Sequence, residues 1–237
     1  MNKAEVCALI REVAIIPAIR VSSAEQAHFA VEAVTRAGIP IVEITMTVPG
    51  AVDLISHLVE YHPKVLVGAG TVLDIETARQ CVGAGAGILT APGLDLAIVE
   101  FAAKQNLVVL PGALTPTEVV TAWRAGAEFV KVFPCAPVGG DKYIRALKTA
   151  LPQIPLIAAG GVTQQTALDF MLAGATAIGV GTDLIPVEAL ERRQADRIRE
   201  LALRFAGYVK EARSRIKPPK QNPGSEKFAG IQKCDKP

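Results

Sequence analysis

The feature that most constrains the fold of this chain is an alternation of short apolar runs with longer amphipathic segments. Eight apolar runs recur along the chain, and each is nearly continuous rather than alternating between apolar and polar positions. Such runs are typical of strands that are covered on both faces, as in a parallel sheet. The segments between them have helical spacing: in 23–37, Ala27, Ala30, Val31 and Val34 fall on one face. The predicted strands are 13–19, 40–44, 65–67, 87–89, 107–110, 129–132, 156–158 and 177–180.

Eight strands that alternate with helices predict an α/β fold, and eight is the number that closes a (β/α)8 TIM barrel. An Ala-Gly pair precedes every second predicted strand, at intervals of 47, 41 and 48 residues. Glycine after the last helical turn is the usual left-handed cap. The main alternative is an open doubly wound sheet, but no GxGxxG fingerprint follows the first strand. The pairs are Ala37-Gly38, Ala84-Gly85, Ala125-Gly126 and Ala173-Gly174.

Composition predicts one soluble domain over 1–213, followed by a poorly ordered tail, 214–237, that is rich in Pro, Lys and Gly. The net charge of +2 gives no electrostatic reason to expect nucleic acid or an acidic membrane surface as a partner. No apolar run approaches the 18 residues of a transmembrane helix, and the N-terminus carries no apolar leader. The four cysteines are scattered, which is typical of reduced thiols in a cytoplasmic protein.

Lys131 is the sharpest candidate for chemistry, because the carboxyl ends of the strands form the active face of a barrel. It lies within the run 129–132, and strand alternation places it on the face opposite Val130 and Val132. We therefore expect it to enter the barrel, where a desolvated amine loses its proton more readily and can attack a carbonyl. The alternatives are an outward lysine at a strand edge and one half of a buried ion pair with Glu43.

Glu43 lies in the run 40–44 and is the candidate acid and base. A carboxylate beside a lysine inside a barrel can move the protons that carbinolamine and enamine formation require. The alternative is a structural counter-ion to Lys131 or Arg20, and the two roles are compatible in one site.

Glycine motifs follow the last two predicted strands, at Gly160-Gly161 and at Gly181-Thr182. Barrels often bind phosphate in these two loops, through backbone N–H groups and a short helix, although glycine also serves tight turns. The three histidines fall on predicted helices or at their ends, and no His, Asp and Glu cluster has the spacing of a metal site. We therefore expect neither a metal ion nor a cofactor.

Eight short motifs, taken in order, resemble the class I aldolases that cleave 2-keto-3-deoxy-6-phosphogluconate (KDPG), many of which also act on 4-hydroxy-2-oxoglutarate (KHG). The resemblance covers about residues 8–210. Each motif is weak alone, but each lies at the corresponding strand end. The motifs are IPAIR (16–20), VEIT (42–45), VGAGTVL (67–73), TAPGL (90–94), PGALTPTE (111–118), KVFP (131–134), AAGGV (158–162) and GVGTDL (179–184).

The resemblance implies that Lys131 forms the Schiff base and that Glu43 is the general acid and base, acting through a water. It implies reversible cleavage of a 2-keto acid phosphate to pyruvate and an aldehyde, glyceraldehyde 3-phosphate in the parent Entner–Doudoroff activity, by a homotrimer. The substrate-binding residues that it implies are Thr71 and Pro92 in the pyruvyl pocket, Phe133 beside the imine, Arg20 on a substrate anion, and Gly160, Gly161, Gly181 and Thr182 on the phosphate.

Two positions depart from the pattern of some family members. Thr47 stands where some carry an arginine, and Ala159 stands where some carry a threonine. Losing an arginine removes a fixed fork for a carboxylate or phosphate, so the 6-phosphogalactonate analogue and a non-phosphorylated keto acid are alternative substrates. A phosphate-binding barrel isomerase or synthase, and an inactive barrel that acts as a scaffold, are the competing functions.

Overall fold

The computed structural model describes residues 1–216, and that range contains nine β-strands and ten α-helices, which alternate except at β5–β6 and α9–α10. The strands are β1 (Ile15–Ile19), β2 (Ile41–Thr45), β3 (Leu66–Gly70), β4 (Ile88–Thr90), β5 (Val108–Leu110), β6 (Gly112–Ala113), β7 (Val130–Val132), β8 (Leu156–Ala159) and β9 (Ala177–Val180). The helices are α1 (Lys3–Val13), α2 (Ala24–Thr35), α3 (Ala51–Tyr61), α4 (Ile75–Gly83), α5 (Leu96–Lys104), α6 (Pro116–Arg124), α7 (Gly140–Ala150), α8 (Ala167–Leu172), α9 (Val187–Glu191) and α10 (Ala195–Arg215), with a 3-10 turn at Ala136–Val138.

The sheet closes into a barrel through the chain itself. All strand pairs are parallel, in the order β5-β4-β3-β2-β1-β9-β8-β7-β6. The two strands at the ends of this order, β5 and β6, are separated in the chain only by Pro111. Proline has no N–H for a sheet ladder, but the Pro111 carbonyl accepts from the Lys131 N–H at 2.9 Å. The fifth predicted strand is therefore interrupted and continues as β6, and the predicted (β/α)8 barrel is confirmed.

Two of the predicted strand boundaries differ from those in the structure, whereas the predicted helix caps agree with it. The first predicted strand began too early, because α1 extends to Val13 and Ala14 ends it in the left-handed conformation with φ 54°. The predicted third strand ended too early, because β3 continues to Gly70. The Ala-Gly caps are confirmed. Their glycines have φ values of 86° at Gly38, 93° at Gly85, 107° at Gly126 and 101° at Gly174.

Strand register fixes which side chains point into the barrel. Glu43 lies opposite Ala18 on β1 and Gly68 on β3, and Lys131 lies opposite Gly112 on β6 and Ile157 on β8. Because side chains alternate along a strand, the inward set continues two residues further on each strand. Glycine or alanine occupies five inward positions near the carboxyl ends: Ala18 and Gly112 opposite Glu43 and Lys131, and Gly70, Ala159 and Gly179 further along their strands. These small residues leave space at the top of the barrel.

The last helix, α10, packs on α2 and α8 and buries Ile198, Leu201, Phe205 and Val209 among others. It continues through residues 214 and 215, so the helix extends past the start of the predicted tail; the rest of that tail lies outside the described residues. Within residues 1–216, no helix is both long enough and apolar enough to span a bilayer.

Candidate active site

A buried ion pair lies at the centre of the carboxyl face. Lys131 Nζ is 3.6 Å from Glu43 Oε1, and the two side chains are 13% and 6% exposed. Lys131 Nζ also stands 5.4 Å from the ring centroid of Phe133, within range of a cation–π contact. The outward-lysine alternative is therefore wrong. The buried pair is present, and its distance allows proton exchange directly or through one water.

A cavity of about 230 Å³ opens above this pair. It contains eight of the ten predicted site residues, which are Arg20, Glu43, Lys131, Phe133, Gly160, Gly161, Gly181 and Thr182. The strand ends of β1, β2, β7, β8 and β9 thus meet around one space, as the barrel prediction requires.

The other two predicted residues do not line this cavity. Thr71 lies beside it, where its Oγ1 accepts from Arg20 Nη2 at 3.3 Å. Its φ of 59° is unusual for a residue with a side chain, and the bend it creates directs the chain out of β3. Pro92 lines a separate surface cleft with Leu73, Leu94 and others. The structure therefore does not bring Pro92 into the cavity, although its carbonyl group lies where a Cβ on Gly112 would stand.

The glycine pair after β8 is required by close packing as well as by conformation. Gly160 and Gly161 have φ values of 80° and 88°. A Cβ on Gly160 would stand 2.8 Å from Pro134 Cα, and one on Gly161 would stand 2.4 Å from Ala136 Cβ. Because only glycine fits, the backbone itself forms this wall of the cavity. No helix begins directly after the pair, since α8 starts at Ala167.

Several cavity residues were not predicted. Ala18 precedes Arg20 by two positions on β1, so strand alternation was a signal that could have found it. Asp183 follows the Gly181-Thr182 motif and adds a carboxylate beside the predicted phosphate site. No sequence signal distinguished Asp183 from an ordinary loop residue. The cavity thus holds two cationic and two anionic side chains.

The departure at position 47 has a visible consequence. Thr47 is exposed, and its hydroxyl lies 2.7 Å from that of Thr45, which in turn donates to the Ile19 carbonyl at 3.0 Å. Position 47 lines a second cleft with Arg20, Ser22 and Gln26, next to the main cavity. The short, neutral side chain of Thr47 therefore lies at the entrance (mouth) of the main cavity, on the side of Arg20.

The histidines lie on the outer helices or, for His62, directly after the end of α3, as predicted. The rings of His28 on α2 and His57 on α3 meet edge to face at 4.7 Å. Burial lowers the pKa of His28, and the charges of His57 and His62 lower it further. None of the three lines the cavity. Within residues 1–216, no group of three or more His, Cys, Asp or Glu side chains is arranged to hold a metal ion.

Gly70 provides a test of how closely Glu43 must be held. A Cβ on Gly70 would stand 2.1 Å from Glu43 Oε1 and 2.5 Å from its Cδ and Cγ, so Gly70→Ala must push the whole carboxylate aside. We expect a turnover about tenfold or more lower, since misplacing a catalytic group by an ångström has effects of this size. Steady-state kinetics measure it, with Gly83→Ala as the control because nothing lies within 4 Å of its added Cβ. Unchanged turnover in Gly70→Ala would mean that the position of Glu43 is unimportant.

The fold and this site together define a class of protein: a parallel (β/α)8 barrel enzyme with a buried lysine and a carboxylate at the carboxyl ends of its strands. The chain belongs to the KDPG and KHG aldolase family, whose sequence profile matches residues 6–201. This membership favours an aldolase over the isomerase or synthase that a glycine cradle alone would allow.

Individual relatives agree with this assignment. The chain is 33% identical over 204 residues to a 2-dehydro-3-deoxy-6-phosphogalactonate aldolase of Escherichia coli K12, covering 85% of this chain and 96% of that protein. It is 31% identical over 189 residues to the KHG/KDPG aldolase of the same organism, covering 79% and 88%. Among solved structures, the KDPG aldolase from Legionella pneumophila, with pyruvate captured as a covalent carbinolamine intermediate, is 27% identical with a TM-score of 0.78, covering 83% and 96%. The family and the aldolase class predicted from the sequence are confirmed.

Proposed function

We propose that this chain is a class I aldolase in which Lys131 forms a Schiff base with C2 of a 2-keto acid. The observation that carries the proposal is the buried Lys131–Glu43 pair, 3.6 Å apart, at the floor of the cavity. A lysine amine next to a carboxylate that can take its proton is the arrangement that imine formation requires. The carbinolamine captured in the Legionella relative supports the same chemistry.

The first half of the reaction uses the pair to form the imine. Glu43 takes a proton from the Lys131 ammonium, and the neutral amine attacks C2 of the substrate. The carbonyl oxygen becomes a hydroxyl, which leaves as water when Glu43 returns a proton to it. The product is a protonated imine, which withdraws electrons from the neighbouring bonds.

The second half breaks the C3–C4 bond. Glu43 removes the proton of the C4 hydroxyl, the aldehyde leaves, and the electron pair of the broken bond forms an enamine that is stabilised by the imine nitrogen. A proton then adds to C3, and hydrolysis of the resulting pyruvyl imine releases pyruvate and regenerates Lys131. One carboxylate thus serves both directions of proton transfer.

The remaining predicted residues are proposed to hold the substrate. Arg20, fixed by its contact with Thr71, is positioned at the mouth to pair with a substrate anion. Phe133 covers one side of Lys131. The backbone at Gly161 and Thr182 offers N–H groups to a phosphate, while the Asp183 carboxylate beside them limits how much negative charge this end accepts.

We propose KDPG as the substrate, cleaved to pyruvate and glyceraldehyde 3-phosphate, with KHG as a further substrate that gives glyoxylate. The 6-phosphogalactonate analogue is a second candidate. The match to the E. coli galactonate aldolase favours it, as does the neutral Thr47 at the mouth. Comparing kcat/KM for the two C4 epimers and for KHG under identical conditions distinguishes these substrates, since all three give pyruvate.

The experiment that tests the chemistry is borohydride reduction in the presence of pyruvate, followed by peptide mass mapping. We expect one pyruvyl adduct, on Lys131, and none when pyruvate is omitted. An adduct on another lysine would overturn the assignment of Lys131. The absence of any adduct in folded protein would overturn the class I mechanism.

We also propose that the enzyme works in the cytoplasm as a homotrimer. Cys7, Cys81 and Cys135 are free thiols in the structure, which supports a reducing compartment. Leu73, 64% exposed, and Leu96, 43% exposed, provide apolar surface that suits a subunit contact. Light scattering on the purified protein should give three times the chain mass of 24.9 kDa, and a mass of one chain would contradict the trimer.

A further inference from the structure

One buried hydroxyl near the site is unaccounted for by the chemistry above. Thr90, the last residue of β4, is 1% exposed, and its Oγ1 has no hydrogen-bond partner among residues 1–216. Glu43 and Thr45, the other buried polar side chains in that range, have partners in Lys131 and in the Ile19 carbonyl. Burying a hydroxyl without a hydrogen-bond partner destabilises a fold, so the presence of this one in the barrel needs an explanation.

The register of the barrel directs this hydroxyl into the interior. Gly68 on β3 lies opposite Ile88 on β4, and a Cβ on Gly68 would stand 3.2 Å from Ile88 Cβ, so the two positions share a face. Gly68 also lies opposite Glu43, which points inward. Two residues further along β4, Thr90 is on the same inward face as Ile88.

The Glu43 carboxylate reaches from β2 over β3, the strand that separates it from Thr90 on β4. A Cβ on Gly70 would stand 2.1 Å from Glu43 Oε1, so the carboxylate occupies the space above Gly70. Continuing the β3–β4 register by two residues places Thr90 opposite Gly70. Neighbouring strands are about 4.8 Å apart, so the Thr90 backbone lies next to the position over which the carboxylate extends. A single water can bridge polar groups that face each other across such a gap.

We propose that Thr90 is a positioning residue whose hydroxyl holds the water through which Glu43 exchanges protons with C3 of the bound pyruvyl group. The proposal rests on the function proposed for Lys131 and Glu43. In the exchange step, a C3–H bond of the pyruvyl imine breaks and its electron pair forms the enamine double bond. The water takes this proton and passes one of its own to the Glu43 carboxylate. Thr90 holds the water and undergoes no net change.

The test compares Thr90→Val, which keeps the shape but removes the hydroxyl, with Thr90→Ser, which keeps the hydroxyl. Deuterium uptake into the methyl group of pyruvate, followed by NMR, measures the proton exchange directly. We expect Thr90→Val to exchange about tenfold more slowly, a part of the effect that proton-transfer catalysis commonly provides. Thr90→Ser should recover most of the rate. Borohydride trapping of the imine should be unchanged in both variants.

Thermal unfolding supplies a readout that separates this role from a structural one. Because Thr90→Val removes an unpaired buried hydroxyl, its Tm should not fall although its exchange slows. If the Tm of Thr90→Val does fall, the exchange rates of Thr90→Ser and Thr90→Ala are compared instead. These two variants differ only in the hydroxyl, so Thr90→Ser should exchange faster than Thr90→Ala.

Two results would overturn the proposal while leaving the aldolase mechanism intact. One is exchange at the wild-type rate in Thr90→Val with normal imine trapping. The other is a Thr90→Ser variant as slow as Thr90→Val, since the hydroxyl would then be irrelevant. If the wild-type enzyme itself forms no imine with pyruvate, the proposed function fails first, and the role of Thr90 fails with it.

Discussion

Lys131→Met is expected to abolish aldol cleavage and to abolish the borohydride-trapped pyruvyl adduct at the same time. Among residues 1–216, Arg20 is the one other cationic side chain that lines the cavity, and its guanidinium is a poor nucleophile because it stays protonated. Without the covalent intermediate there is no electron sink for the C3–C4 bond. Coupled detection of pyruvate release and mass spectrometry of the reduced protein measure both losses.

Lys142→Met is the matched control for this substitution. Lys142 is an exposed lysine on α7, so the same change there should leave turnover and adduct formation at the wild-type level. Residual cleavage by Lys131→Met above the level of a heat-inactivated sample would contradict the Schiff-base role.

The same variant has a consequence for stability. Removing Lys131 leaves the Glu43 carboxylate, 6% exposed, without its counter-ion, and breaking a buried pair by deleting one partner is strongly destabilising. We expect a lower Tm for Lys131→Met and a recovery of Tm, without activity, in the double variant Lys131→Met/Glu43→Gln. A double variant no more stable than Lys131→Met would mean that the lost ion pair is not the cause.

Glu43→Gln is expected to lower turnover by about 100-fold or more, the usual scale for losing a general acid and base. Glutamine keeps the size and hydrogen bonding of the side chain but cannot take up a proton. Because the Lys131 amine is intact, some imine should still form, so trapping with pyruvate should persist at a reduced rate. Stopped assays of pyruvate release and a time course of adduct formation separate the two steps.

Glu60→Gln on the exposed face of α3 is the control, and it should behave as wild type. The pattern that distinguishes the two residues is loss of both turnover and adduct for Lys131, against loss of turnover with surviving adduct for Glu43. Mild and equal effects at both positions would contradict the assigned roles.

The barrel was predictable because its strands and caps have local signatures. The buried strands are continuous apolar runs, and the glycines at Gly38, Gly85, Gly126 and Gly174 have the left-handed φ that their positions after helices indicated. Lys131 was found by the same local reasoning, since Val130 and Val132 on either side of it had to face the helices.

The features that the sequence did not predict depend on pairing between distant segments. The hydrogen bond between Arg20 and Thr71 joins residues 51 positions apart. The exclusion of Pro92 from the cavity follows from how its loop packs on Gly112. The inward direction and neighbourhood of Thr90 follow from the β3–β4 register. A hydrophobic pattern fixes which face a strand buries, but it does not fix which residues lie opposite each other.

The glycine and alanine residues at the carboxyl end have a thermodynamic consequence. A (β/α)8 barrel is ordinarily filled by stacked layers of branched side chains, whereas here the inward positions near the carboxyl end include Ala18, Gly70, Gly112, Ala159 and Gly179. These small side chains leave space at the carboxyl end, and in the proposed mechanism the covalently held keto acid fills it. A ligand that binds only the folded state stabilises it by about 2.7 kcal/mol at a concentration 100 times its Kd. We therefore expect the enzyme to resist heat best while substrate is bound, and to be least stable in the interval between product release and the next substrate.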